Sequence, residues 1–103
     1  ILIIGLADRG YKNVDEIITN PSIPLILKSQ YKAAISADVS FYNLFEAMGS
    51  YKSMKAWADK KPPLANKDYT HFNHRGGATV AGYLFEFLNN QYQLYYQNAQ
   101  KNP

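Results

Sequence analysis

The pattern that most constrains this chain is an apolar strand, an amphipathic helix and a second strand that follow one another near its start. Residues 1–6 form a continuous apolar, β-branched run that ends in the polar segment 8–10. Strands buried on both faces of a parallel sheet have this composition. A helix is predicted from Ser22, because apolar residues then recur at helical spacing between lysines. With a strand pattern at residues 38–44, the sequence predicts a right-handed β-α-β crossover and an α/β fold with a parallel sheet flanked by helices.

The segments around this unit are predicted from their polarity and their prolines. Residues 11–22 are interpreted as a loop with at most one helical turn. A short helix with Trp57 packed inward is expected to end at Pro62. The final helix is expected to begin after Asn73, which is a suitable N-cap. It is expected to fray over residues 91–103, which are rich in Gln, Asn and Tyr. Three glycines are interpreted as points where this helix packs closely on the sheet: Gly76, Gly77 and Gly82.

Size and charge exclude several classes of protein. The chain has 103 residues, of which 47% are hydrophobic, and this suits one compact unit. Its net charge of +3 comes from scattered lysines, so the sequence predicts no nucleic-acid partner. The absence of cysteine excludes disulfides and thiolate-bound metal. The first apolar run is far shorter than the roughly 20 residues of a membrane-spanning helix, so no transmembrane segment is predicted.

The residues best suited to catalysis are Asp68 and His71. They lie three positions apart, just before the predicted final helix, so their side chains can point into one small volume. In a hydrolytic triad a carboxylate accepts a hydrogen bond from the histidine Nδ1–H, which leaves Nε2 to act as a general base. A pair of this kind can also serve only to cap or pack a helix. We interpret His71 as a candidate general base and Asp68 as the residue that orients it.

The wider context resembles a known family. Residues 68–77 read Asp-Tyr-Thr-His-Phe-Asn-His-Arg-Gly-Gly, and residues 41–49 read Phe-Tyr-Asn-Leu-Phe-Glu-Ala-Met-Gly. Both segments resemble the C-terminal part of SGNH (GDSL-like) hydrolases, and in particular of bacterial glycan (peptidoglycan-type) O-acetylesterases. The resemblance implies a three-layer flavodoxin-like fold and a serine esterase of the Ser-His-Asp type that needs no cofactor. It further implies an acetylated polysaccharide substrate and a periplasmic, cell-surface or secreted location.

The chain lacks the remaining parts of such a site. In the family the nucleophilic Ser follows Gly-Asp near the start of the domain, and none of the serines here does. The chain also begins directly on an apolar run. We therefore expect residues 1–103 to be the C-terminal portion of a single SGNH hydrolase domain. The missing N-terminal half is then an expected partner, and the chain alone is expected to be inactive.

Polar residues that follow the two predicted strands are candidates for substrate binding. Ligands of open α/β sheets bind beyond the carboxyl ends of the strands. Asp8 and Arg9 follow the first strand, and Asn43 follows the second. For Asp8 and Arg9 the alternative is a solvated loop, and for Asn43 it is a residue that forms a turn.

Two other classes of function remain open from the sequence. Asp68, His71 and His74 are spaced three apart and could contribute to a metal-dependent hydrolase, although further ligands would have to come from elsewhere. The esterase hypothesis, by contrast, requires no metal. A non-catalytic carbohydrate-binding module could instead use Trp57 and the tyrosines for stacking on sugars.

Overall fold

The structure is a computed structural model and describes residues 1–101. Along that range the chain forms, in order, β1 (Leu2–Ile4), β2 (Gly10–Asn13), β3 (Glu16–Thr19), α1 (Ser22–Ala37), β4 (Ser40–Tyr42), α2 (Leu44–Met48), α3 (Ser53–Asp59) and α4 (His74–Lys101). None of the helices in this range is both long enough and apolar enough to cross a membrane.

The two predicted strands pair as expected. β1 and β4 lie parallel, with Leu2 opposite Ser40 and Ile4 opposite Tyr42, and α1 connects them along the chain. The α/β class is therefore confirmed. The sheet described has two strands, so a three-layer flavodoxin-like arrangement stays a prediction.

Helix α1 begins at the predicted residue and buries one apolar stripe. Ser22 is its first residue, but the Asn20 side chain makes the local contact by accepting hydrogen bonds from the Ser22 amide and hydroxyl. Asp38 ends the helix in a left-handed conformation (φ 54°), and its N–H bonds back to the carbonyls of the last turn. The residues buried along α1 are Ile23, Leu27 and Ala34.

The prediction of a loop over residues 11–22 is wrong, because β2 and β3 form an antiparallel hairpin there. Gly10 lies opposite Thr19, and the turn is made by Val14 and Asp15. Val14 has a φ of 58°, a conformation that hairpin turns normally assign to Gly or Asn. The turn therefore carries none of the residues by which such a hairpin is recognised in a sequence.

The core lies between α2, α3 and the first turns of α4. Its buried members are Leu44, Met48, Met54, Trp57, Ala58 and Ala65. Trp57 is 3% exposed, and its Nε1–H donates to the Met48 carbonyl over 3.0 Å. The predicted inward packing of Trp57 is confirmed, and its use as a surface platform for sugar stacking is wrong. Its ring contacts those of Phe72 and Tyr83, so the core directly supports the segment that contains His71.

Helix α4 begins as predicted and runs on to Lys101. The Asn73 side chain accepts a hydrogen bond from the Gly76 amide over 2.8 Å, as an N-cap does. A Cβ atom at Gly76 would lie 1.8 Å from the Leu64 carbonyl oxygen, whereas Gly77 and Gly82 face open space. Gly76 therefore does permit a close approach, but to the segment at Leu64 and not to the sheet, and the prediction is wrong for the other two glycines.

The end of α4 is the segment for which fraying is expected, and that expectation stays a prediction. Residues 91–101 are helical, and all of their side chains are exposed. Asn102 and Pro103, which belong to the same prediction, lie outside the described residues.

Candidate active site

The Asp68 and His71 side chains project from a tight loop, which is closed by hydrogen bonds between its own backbone groups. The His71 carbonyl accepts a hydrogen bond from the Asn66 amide over 2.9 Å, and the Asn66 carbonyl accepts one from the Tyr69 amide over 3.1 Å. Ala65 and Phe72 form an isolated antiparallel bridge just outside this pair. Residues 66–71, the dyad loop, are thereby held in one conformation, with Tyr69 at a φ of 56°.

The structure brings the two predicted catalytic residues into direct contact. Asp68 Oδ2 lies 2.6 Å from His71 Nδ1, while Oδ1 accepts hydrogen bonds from the amides of Thr70 (2.9 Å) and His71 (3.0 Å). The hydrogen bond to the His71 ring, followed by the two amide bonds, lowers the pKa of Asp68 to about 2. The carboxylate therefore stays ionised at neutral pH.

The outer nitrogen of the imidazole is available for proton transfer. With Nδ1 bound to Asp68, Nε2 has no hydrogen-bond partner within residues 1–101, and the His71 side chain is 73% exposed. An imidazole oriented through Nδ1 can accept a proton at Nε2 from an incoming hydroxyl group.

Two further contacts reach the dyad loop, one from Gly10 and one from the end of α3. The Gly10 amide donates to the Tyr69 carbonyl over 2.7 Å, and a Cβ atom at Gly10 would lie 2.4 Å from the Tyr69 Cβ. Only glycine fits so close to the loop. On the other side Lys67 Nζ lies 2.6 Å from Asp59 Oδ1. Hydrogen bonds from Lys55 and then from Lys67 lower the pKa of Asp59 to about 2, but the ions are solvated and the pair contributes little to stability.

The three predicted substrate-binding residues differ in their burial and in their hydrogen bonds. Asp8 is 2% exposed and its Oδ2 accepts a hydrogen bond from the Met54 amide over 2.8 Å, so it supports the start of α3 and does not line an open crevice. Asn43 caps α2 by accepting from the Glu46 amide over 3.0 Å, which is the alternative role of forming a turn. Arg9 is exposed and precedes Gly10, beside the dyad loop, and its role in substrate binding stays a prediction.

A cleft lies at the start of α4, on residues that flank the dyad loop in sequence. It has a volume of about 570 Å³ and is lined by Asn66, Phe72, Asn73, His74 and Gly77. Asp68 and His71 are not among its lining residues, although Phe72 continues directly from His71.

His74 does not complete a metal site with the dyad. Across residues 1–101 the structure contains no group of three or more His, Asp or Glu side chains placed to hold a metal ion. Asp68, His71 and His74 are therefore not placed together as ligands of one metal ion.

Two residues that fix the dyad loop, Gly10 and Asn66, were not predicted from the sequence. Gly10 lies 59 positions before Tyr69, and no local signal connects the two. Asn66 offered a signal, because Asn is frequent in tight turns that carry residues with positive φ.

Comparisons of the chain with models of protein families, with curated proteins and with solved structures gave no match.

Proposed function

We propose that this chain supplies the Asp and His of a serine esterase of the SGNH type, which removes O-acetyl groups from a cell-wall polysaccharide or another polysaccharide. His71 is the general base that accepts the proton of the nucleophilic Ser, and later the general acid that returns a proton to the leaving sugar oxygen. Asp68 orients the imidazole and stabilises its charged form. An exported location, in the periplasm, at the cell surface or outside the cell, belongs to the same proposal.

The observation that carries the proposal is the 2.6 Å contact of His71 Nδ1 with Asp68 Oδ2, with Nε2 left open. Two backbone amides anchor the carboxylate behind the ring, and the ring itself is exposed. The cleft lined by Asn66, Phe72 and His74 is the place to which this proposal assigns the sugar. The choice of an acetylated polysaccharide as the substrate rests on the resemblance of residues 68–77 to the SGNH motif.

The nucleophile in this proposal comes from polypeptide outside these 103 residues. None of the serines follows Gly-Asp, and the most deeply buried of them, Ser53, is 3% exposed within the core beside Met54. We infer that a segment with the Ser and the oxyanion donors packs beside the dyad loop, so that the full fold has the three-layer flavodoxin-like arrangement.

The test is acetate release from O-acetylated peptidoglycan and from acetylated xylan by a polypeptide that contains this segment together with the nucleophile. The His71→Ala variant should lower kcat by roughly four to six powers of ten, because the nucleophile then lacks its base. The His74→Ala variant is the matched control, since it removes the other histidine of the chain from the adjacent helix turn. Because His74 lines the cleft, this variant can raise KM, but it should keep kcat within about tenfold of the native value.

Three results would contradict the esterase. Equal losses of kcat in the two histidine variants would contradict a role for His71 as the general base. Full activity in His71→Ala would show that His71 is not the general base. Activity that depends on added zinc and disappears with a chelator would indicate a metal enzyme.

A further inference from the structure

Asp8 is the one charged side chain that the fold buries within residues 1–101. It is 2% exposed, and no Lys, Arg or His in that range forms an ion pair with it. In the same range its Oδ2 accepts one hydrogen bond, from the Met54 amide, and its Oδ1 accepts none. Burial of a carboxylate with so few partners costs free energy. What this one bond does is fix the backbone around residue 8 to the start of α3.

The segment 8–10 is bound at each of its three residues to a different element. The Asp8 carboxylate accepts from the Met54 amide at the start of α3 over 2.8 Å. The Arg9 carbonyl accepts from the amide of the residue after β3, also over 2.8 Å. The Gly10 amide donates to the Tyr69 carbonyl over 2.7 Å. The segment 8–10 therefore connects α3, the hairpin and the dyad loop.

The contact of this segment with the dyad loop is made by the backbone. A Cβ atom at Gly10 would lie 2.4 Å from the Tyr69 Cβ, so no flexible side chain separates the two residues. Asp8 precedes Gly10 by two residues, which span at most about 7 Å. A shift of the backbone at Asp8 therefore reaches Tyr69 through two peptide units and one hydrogen bond.

The dyad loop follows such a shift as a unit. Asn66 closes it by hydrogen bonds with Tyr69 and His71, and the contact between Asp68 and His71 lies inside it. The internal geometry of the dyad is therefore local, whereas its position relative to α3 and the sheet depends on contacts such as the Gly10 bond. A displacement of about 1 Å at a reacting group can lower a rate by about a hundredfold.

We propose that Asp8 is a positioning residue for the dyad, which acts through Gly10. The buried carboxylate fixes the segment 8–10 to α3, and the Gly10 amide then places Asp68 and His71 where the nucleophile meets them. The catalytic consequence rests on the proposed esterase, whereas the link between Asp8 and the dyad loop can be measured without the nucleophile.

The first test is amide hydrogen exchange in the complete 103-residue chain, with the amide of the buried Leu27 in α1 as the reference. Asp8→Ala should raise the exchange rate of Gly10 relative to Leu27 by a factor on the order of ten, because loss of a buried hydrogen bond loosens the segment locally. Asp8→Asn should restore the native ratio. Asn keeps an acceptor for the Met54 amide and offers a donor to the buried Ser53 hydroxyl.

Met54→Ala is the matched control. It truncates a fully buried side chain but keeps the amide that binds Asp8. This variant should destabilise the whole chain, so that the Gly10 and Leu27 amides exchange faster together and their ratio stays native. If Asp8 contributed only to general stability, Asp8→Ala would leave the ratio unchanged in the same way.

The second test is ester hydrolysis by a polypeptide that contains this segment together with the nucleophile, at a temperature where Trp57 fluorescence shows a folded core. Asp8→Ala should lower kcat by about 10- to 100-fold and leave KM within about threefold of the native value, because the dyad is displaced and the sugar contacts are not. Asp8→Asn and Met54→Ala should keep kcat near the native value.

Equal exchange ratios in Asp8→Ala and Met54→Ala, or a raised ratio in Asp8→Asn, would overturn the link between Asp8 and the dyad loop. The Asp8→Asn result decides this also where Asp8→Ala does not fold. A native kcat in Asp8→Ala would overturn the positioning role and leave the esterase intact. Absence of hydrolysis by the native polypeptide would instead end the esterase, and the exchange ratios alone would then decide the role of Asp8.

Discussion

The Asp68 carboxylate receives three hydrogen bonds from within three residues of itself, and this makes the dyad predictable at the scale of single residues. Its partners are the amides of Thr70 and His71 and the His71 ring. All depend on the spacing Asp-x-x-His and on one tight turn, both of which are visible in the sequence. The proximity of the two side chains could therefore be predicted without knowledge of the rest of the fold.

The ionisation of Asp68 gives a test of this geometry in the isolated chain. Its pKa is lowered from 3.8 to about 2, so the stabilisation it provides is present above about pH 4 and is lost as the pH falls through about 2. Carboxyl ¹³C NMR should find this midpoint in the native chain. In His71→Ala the midpoint should rise toward the ordinary value, because the largest cause of the shift is removed.

His74→Ala is the control for this titration and should leave the midpoint of Asp68 near 2. A native midpoint at the ordinary value, or an equal rise in both variants, would show that the contact between Asp68 and His71 does not persist in solution.

Asp8 illustrates the opposite case, a residue whose position could not be predicted. Its partner, the Met54 amide, lies 46 residues away along the chain. A polar residue after a strand is usually solvated, and only the assembled fold shows that α3 begins directly over this carboxylate. The other oxygen, Oδ1, and the nearby Ser53 hydroxyl are buried and have no hydrogen-bond partner within residues 1–101.

At the scale of elements, the helices and the parallel strands were predictable and the hairpin was not. Helices α1 and α4 were predictable from the helical spacing of their apolar residues and from residues suited to helix ends. The hairpin β2–β3 turns at Val14, a β-branched residue with positive φ, where the usual signal is Gly or Asn. Here the pairing of the two strands, with Ile17 and Ile18 partly buried, imposes a turn that local preference disfavours.

The start of α4 supplies a prediction with a built-in control. Gly76→Ala should destabilise the chain by several kcal/mol, because its Cβ would lie 1.8 Å from the backbone oxygen of Leu64 and must displace α4 from the segment leading into the dyad loop. Gly77→Ala should be neutral or stabilising by up to about 1 kcal/mol, since its position is open and Ala is the better helix former.

Urea unfolding followed by Trp57 fluorescence compares these two variants. Equal free energies of unfolding for Gly76→Ala and Gly77→Ala would contradict the close contact between α4 and Leu64.

At the scale of the whole molecule the chain is a thin plate, with extents of 59 × 31 × 15 Å. Its core cluster surrounds Trp57, whereas α1 leaves several apolar side chains exposed: Leu25, Ile26, Tyr31 and Ile35. Stability should therefore depend strongly on the Trp57 cluster and weakly on the outer side of α1.

Met54 is the residue with which to test this uneven distribution, because it is fully buried. Met54→Ala should cost about 2–5 kcal/mol through lost burial and the cavity it leaves. Leu25→Ala, at a position 68% exposed, should change the free energy of unfolding by less than about 0.5 kcal/mol. Thermal and urea unfolding measure both, and a similar loss in the two variants would show that the outer side of α1 is covered in solution.

The closed ring of the dyad loop has a consequence for how an active site of this kind is assembled. Because Asn66, Tyr69 and His71 bond to one another over a few residues, the loop has a very low contact order and can form early in folding. The Asp68 carboxylate and the His71 imidazole can then come into contact before the distant Gly10 joins the loop. Under the proposed function, a nucleophile that docks later would meet two side chains already in contact, and its binding would not bear the entropy of ordering them.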